Sequence, residues 1–143
     1  MLPNHIITHA PQAPYFKSEY YKNRGYVAVN DKIGSTIDFY NIQFYNQGPN
    51  AYNTYSDLFT NSLGFFSGTS VKEIIARGVP SRKVVVGKPA TAGDANNGYV
   101  NPSTLGQWCQ KAKLDLGWTP SVMFWQYIRD LNGVIIKSAS TGS

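Results

Sequence analysis

Six residues in this chain could do chemistry together, although none of them is a strong nucleophile or an acid. Gln12, Gln43, Tyr45, Asn46, Met123 and Trp125 all fall at or just beyond the ends of short apolar runs. Amides and a phenol offer several hydrogen-bond donors and acceptors and carry no charge near neutral pH. An indole beside them offers a flat apolar plate. That set suits a neutral, polyhydroxylated ligand. A sugar ring lays its C–H face on tryptophan while its substituents bond amides and tyrosine. His5 and His9 make only two imidazoles at the first apolar run, fewer than a metal site needs.

The runs that must position these residues read as strands. "HIITHA" (5–10) is stopped by Pro11 and Pro14, and "TIDFYNIQFYN" (36–46) is rich in β-branched and aromatic types. "KVVVGK" (83–88) is closed by Gly87 and Pro89, and "SVMFWQY" (121–127) is the fourth. Alternation in the second strand puts Tyr40, Ile42 and Phe44 on one face, with Asn41, Gln43 and Tyr45 on the other. The first face can pack under helices. The second must meet water or a polar cavity, because a buried amide without partners costs about 1–3 kcal/mol.

Helical signals lie between the strands. "SVKEIIARG" (70–78) opens on a capping box, Ser70 with Glu73, and closes at Gly78. "NPSTLGQWCQKAKLDLG" (101–117) has Asn101 and Pro102 at its start, then Leu105, Trp108, Cys109, Ala112 and Leu116 near helical spacing. A short helix is expected within each of 17–33 and 52–63, and loops over 64–69 and 91–100. Alternation of this kind predicts right-handed βαβ units, a parallel sheet and an α/β fold, with residues 1–143 as a single domain.

Composition agrees and excludes some classes. The chain has 143 residues, 42% hydrophobic and 15% charged, which is a globular balance. Aromatics reach 14%, from ten Tyr, seven Phe and three Trp. The net charge is +5, but the thirteen Lys and Arg are scattered. No clustered basic patch argues for nucleic acid. No apolar run is long enough to span a membrane. No signal peptide is read at the N-terminus. One cysteine, Cys109, allows no disulfide within the chain and reads as a small core residue.

"HAPQAP", "IDFYNIQFYN", "VVVGKPA" with "DANNGYV", and "VMFWQY" resemble the last four strands and loops of family-18 chitinases. The resemblance runs from about residue 5 to residue 136. It implies half of a (β/α)8 barrel, four parallel βα units of an enzyme that hydrolyses β-1,4-linked N-acetylglucosamine polymers. The implied mechanism is substrate-assisted and retaining, and needs no cofactor. The acetamido oxygen of the substrate attacks the anomeric carbon while a glutamic acid protonates the leaving oxygen. By that pattern Tyr45 bonds the acetamido carbonyl, Trp125 floors the cleavage subsite beside Met123, and Gln12, Gln43 and Asn46 line the cleft. Such proteins are usually secreted.

One departure matters. The family's acid belongs to a D-x-x-D-x-D-x-E motif, and the eight acidic residues here (Glu19, Asp31, Asp38, Asp57, Glu73, Asp94, Asp115 and Asp130) do not form it. Much of a barrel's final helix also lies outside the chain. The expectation is a C-terminal half-barrel that is inactive alone. Its partners are a chitin or N-acetylglucosamine oligosaccharide, and either an N-terminal half-barrel or a second copy in a homodimer. The alternatives are a non-catalytic chitin-oligosaccharide-binding protein and a self-associating half-barrel with no ligand.

Overall fold

The computed structural model describes residues 5–142. Four strands, β1 (Thr8–His9), β2 (Phe39–Gln43), β3 (Val84–Pro89) and β4 (Val122–Trp125), form one sheet in sequence order. All three pairings are parallel. The helices are α1 (Gly25–Ile33), α2 (Val71–Ala76), α3 (Pro102–Leu116) and α4 (Val134–Thr141).

The core lies on the helix side of the sheet. Tyr40, Ile42 and Phe44 of the second strand's apolar face join Val84 and Val86 there, all fully buried. Val27 of α1, Val71 and Ile74 of α2, and Leu105, Cys109 and Ala112 of α3 cover them. Trp118 closes the far side, its indole N–H donating to the Val84 carbonyl at 3.0 Å. Cys109 is buried, and desolvation pushes its thiol up to about 12, so it stays an unreactive packing group.

Helix ends follow their residues. Ser70 accepts from the Glu73 N–H, and Glu73 in turn accepts from the Ser70 N–H at 2.9 Å. Asn101 accepts from Ser103 N–H at 3.0 Å, and α3 stops at Gly117 in the left-handed region.

Every strand differs from its sequence-expected bounds. The expected 5–10 strand pairs only at 8–9, because β1 is an edge with a single neighbour and Asp38 takes the Ile7 N–H in place of a ladder partner. The expected 36–46 strand shortens to 39–43. A 3₁₀ turn occupies Gly34–Thr36, and Asn46 adopts φ 63°. The third runs one residue further than expected, through Pro89. A proline is tolerated at a strand end, and Ala90 supplies the next N–H, to the Trp125 carbonyl at 2.6 Å. The expected 121–127 strand ends at Trp125, since Tyr127–Arg129 turn into a 3₁₀ segment.

The weaker helices also sharpen. Within 17–33 only Gly25–Ile33 is helical. Within 52–63 the chain makes one wide π-turn, Ser56–Thr60. The Asp57 carboxylate accepts from the N–H groups of Tyr52 and Leu63, clasping both ends of that turn.

Candidate functional site

The open face of the sheet carries the other half of each strand's residues. Asn41 and Gln43 on β2 sit beside Val85 and Gly87 on β3, and Gly87 beside Met123 on β4. Pro89 is in register with Trp125. Gln12 joins the row through a parallel bridge to Gln43. The Gln43 side chain donates to the Ala10 carbonyl at 2.7 Å, and its backbone N–H to Pro11 at 2.8 Å. One amide thus ties the first two strand ends together. Among the described residues no helix covers this face: Trp125 is 52% exposed, and Asn41, Gln43 and Met123 are half-buried.

Gly87 is a requirement of the row. A Cβ there would lie 2.8 Å from the Met123 methyl and 2.7 Å from the Ile42 carbonyl. Any side chain would lift Met123 out of place.

Tyr45 stands beyond the end of β2 and is nearly enclosed, at 5% exposure. Burial raises its phenol above the ordinary range, so the hydroxyl remains a protonated donor at neutral pH. Among the described residues no hydrogen-bond partner of that hydroxyl is seen. The 96–98 loop presses on it. Gly98, at φ +91°, comes so close that a Cβ would lie 2.7 Å from the Tyr45 Cα. Asn46 is held in the same clasp. Its side-chain oxygen accepts from Asn96 N–H at 2.8 Å, and its own N–H reaches the Asn97 carbonyl at 3.3 Å.

Gln12 and Asn46 meet again as walls of one cavity of about 420 Å³. Met123 and Trp125 lie across the sheet on its open face, in register with Gly87 and Pro89. Asp94 performs loop chemistry: it accepts from Thr91 N–H and Oγ1 at 3.0 and 2.6 Å and pairs with Arg129 at 2.8 Å. His9 contacts the Tyr26 hydroxyl at 3.3 Å on the helix side. Among the described residues no group of three His, Cys, Asp or Glu converges as a metal site.

Against this geometry, the family model for glycosyl hydrolases family 18 matches residues 3–137. The chain belongs to glycosyl hydrolases family 18. The family-18 architecture recurs in solved structures. A GH18 chitinase from Pseudoalteromonas aurantia is 29% identical with TM-score 0.74, over 99% of this chain and 47% of that one. A fungal family-18 endo-β-N-acetylglucosaminidase is 27% identical with TM-score 0.65, over 98% and 44%. A putative chitinase A from Streptomyces coelicolor is 24% identical with TM-score 0.69, over 99% and 50%. No curated protein matches the chain. The family-18 chain therefore spans about half the length of these structures, and its four parallel βα units are half of a TIM-type barrel.

Lys88 is a residue near the site that carried no expectation. Its ammonium is wholly buried and donates to the carbonyls of Phe44 and Tyr52 at 3.0 and 2.8 Å. Desolvation pulls it down to about 7. It braces the strand end that carries Tyr45. The signal was in the alternation: Val84, Val86 and Lys88 share the core face.

Proposed function

We propose that this chain supplies the sugar-binding half of a chitinase-type cleft, with hydrolysis belonging to a complete barrel. The observation that carries this reading is the open face itself: Gln43, Met123 and Trp125 left uncovered at the C-terminal strand ends, beside the enclosed, protonated Tyr45. Active sites of barrels of this kind sit at that end. Tyr45 donates its hydroxyl hydrogen to the acetamido carbonyl of the sugar in the cleavage subsite and so aims its oxygen at the anomeric carbon. Trp125 stacks under that ring, with Met123 beside it. Gln12, Gln43 and Asn46 bond the hydroxyls. The proton for the leaving oxygen comes from a carboxylic acid outside these 143 residues, because the acid motif is absent here. The working site is extracellular, as for secreted relatives.

Two open edges favour assembly. Ile6 and Ile7 beside β1 are 74% and 48% exposed, and Tyr127, Ile128 and Leu131 beyond β4 are 77%, 61% and 59% exposed. Unpaired edges and exposed apolar residues favour closure, by a complementary half-barrel or by a second copy. A non-catalytic oligosaccharide-binding protein is the second reading, favoured by the missing motif.

The test is calorimetric titration with chitin oligomers. Wild type binds, and Trp125→Ala weakens binding at least roughly tenfold with the fold retained. Unchanged binding in Trp125→Ala would sink the cleft assignment. Light scattering then reads the particle mass, and addition of a half-barrel bearing D-x-x-D-x-D-x-E separates the readings. Restored hydrolysis supports the enzyme, and binding without hydrolysis supports the binding protein.

A further inference from the structure

Lys88 puts a cation where a strand ladder would place an N–H. β2 and β3 pair in parallel as far as the Phe44 N–H, which donates to the Gly87 carbonyl at 3.1 Å. In a parallel ladder the next donor comes from the residue two beyond Gly87, and it would serve the Phe44 carbonyl. That residue is Pro89, which has no N–H. The Phe44 carbonyl is also roofed by the 96–98 loop, since a Cβ on Gly98 would lie 2.8 Å from its oxygen. Lys88 supplies the missing donor from its side chain at 3.0 Å, and the same ammonium donates to the Tyr52 carbonyl at 2.8 Å.

Those two carbonyls stand at the two ends of the loop that carries Tyr45, Asn46 and Gln47, so one ammonium closes it. Asn46, Asn50 and Tyr52 adopt φ of 63°, 67° and 59° along the loop. Residues other than glycine keep such angles only where their surroundings fix them. The second brace is Asp57, whose carboxylate accepts from the Tyr52 N–H. Asp57 is also the charged group whose field reaches Lys88. Desolvation draws the ammonium down to about 7, and the Asp57 charge partly offsets this. The other titratable groups of the surrounding elements keep one state across neutral pH. Burial raises the Tyr45 and Tyr52 phenols and the Cys109 thiol. Glu73 is lowered, because bonds from Ser70 and Ser62 outweigh its own desolvation.

We infer that Lys88 is the positioning residue for Tyr45, and that its proton holds closed the loop that aims the Tyr45 hydroxyl at the sugar. The inference rests on the cleft reading above, in which Tyr45 touches the sugar. Lys88 itself has no exposed surface and acts only through the loop. Hydrogen bonds from an ionised donor are roughly twice as strong as neutral ones. The ammonium grips both carbonyls, and the neutral amine grips them weakly. Loss of the proton lets residues 45–51 relax, and Tyr45 is no longer preset for the acetamido carbonyl. Sugar therefore binds the protonated form better, and by linkage its binding draws a proton onto Lys88. The two effects of rising pH have opposite signs. The fold gains stability as a buried charge is lost, and the cleft loses affinity.

The experiment titrates the 143-residue chain calorimetrically with chitin tetrasaccharide, from about pH 6 to about pH 9. Affinity is expected to fall roughly five- to tenfold across that window while thermal stability climbs. A merely structural lysine would move the two together or leave affinity flat. Near pH 7.5, two buffers of unlike ionisation enthalpy are expected to reveal a fractional proton uptake on binding. Lys88→Met is expected to bind more weakly than wild type at the acid end, to match it at the alkaline end, and to show no slope between. A slope as steep in Lys88→Met as in wild type overturns the inference. Where Lys88→Met fails to fold, the wild-type proton uptake decides, and its absence overturns the inference. Affinity independent of pH, with Trp125→Ala still weakened, overturns the coupling and leaves the cleft standing. Binding unchanged in Trp125→Ala, or absent at every pH, overturns the cleft and the coupling with it.

Discussion

The same strands build two unlike faces. On the helix side, Tyr40, Ile42, Phe44, Val84 and Val86 lose all contact with water. On the other side, Asn41, Gln43, Met123 and Trp125 remain partly wet, and Trp125 keeps half its surface exposed. The first face holds the fold together through apolar burial and accepts even a lysine, provided two carbonyls bind its ammonium. The second face is held by backbone pairing, by one close-approach glycine and by the Gln43 amide on the Ala10 carbonyl, and it leaves Met123 and Trp125 partly open to solvent. Stability and recognition are thus divided by the pleat, residue by residue.

Two tryptophans give the sharpest way to break this comparison. Trp118→Ala removes a fully buried ring and its bond to Val84, and should cost about 3–5 kcal/mol in chemical denaturation. Trp125→Ala should cost under about 1 kcal/mol, because the ring stands largely in solvent and surface substitutions change little. Equal losses would mean that the open face is structural.

Acid–base behaviour tests the buried lysine. Folding lowers Lys88 to about 7, whereas the unfolded chain keeps its proton up to the ordinary value of 10.5. Between those limits the unfolded state binds more protons, so stability should climb with pH, by at most about 1.4 kcal/mol per pH unit. The climb should vanish in Lys88→Met, and a thermal melt series from pH 7 to 9 would read it.

Gly98→Ala probes the clasp on Tyr45. It forces a side chain into φ +91° against the Tyr45 backbone and should cost roughly 1–3 kcal/mol. Sugar binding should fall with it, and full binding at reduced stability would separate the clasp from the site. The smallest effect belongs to Glu19. Arg77 holds its carboxyl down to about 2, against an ordinary value of 4.5. That contribution is complete above the ordinary value and is lost as pH falls toward 2. Glu19 stands mostly in solvent although Arg77 is largely covered, so Glu19→Gln should change global stability by less than about 1 kcal/mol. It should loosen loop 64–68 in amide exchange.

The strands, their parallel order and the polar set at their ends were legible because alternation and turn residues are local signals. The capping box at Ser70 and the proline start of α3 were legible for the same reason. The π-turn at Ser56–Thr60 was not. It depends on Asp57 reaching both Tyr52 and Leu63. Nor was the ring contact between Tyr20 and Phe65, which lie far apart in sequence.

Sequence alone determined which residues face the helices, which face away, and the family to which the pattern belongs, since a strand's period of two and a helix's caps are properties of neighbouring residues. Tertiary structure alone decided that Tyr45 is enclosed by the 96–98 loop, that Lys88 is buried against two carbonyls, and that one sheet face stays open. Burial and close approach are settled by segments distant in the chain, and no local period encodes them.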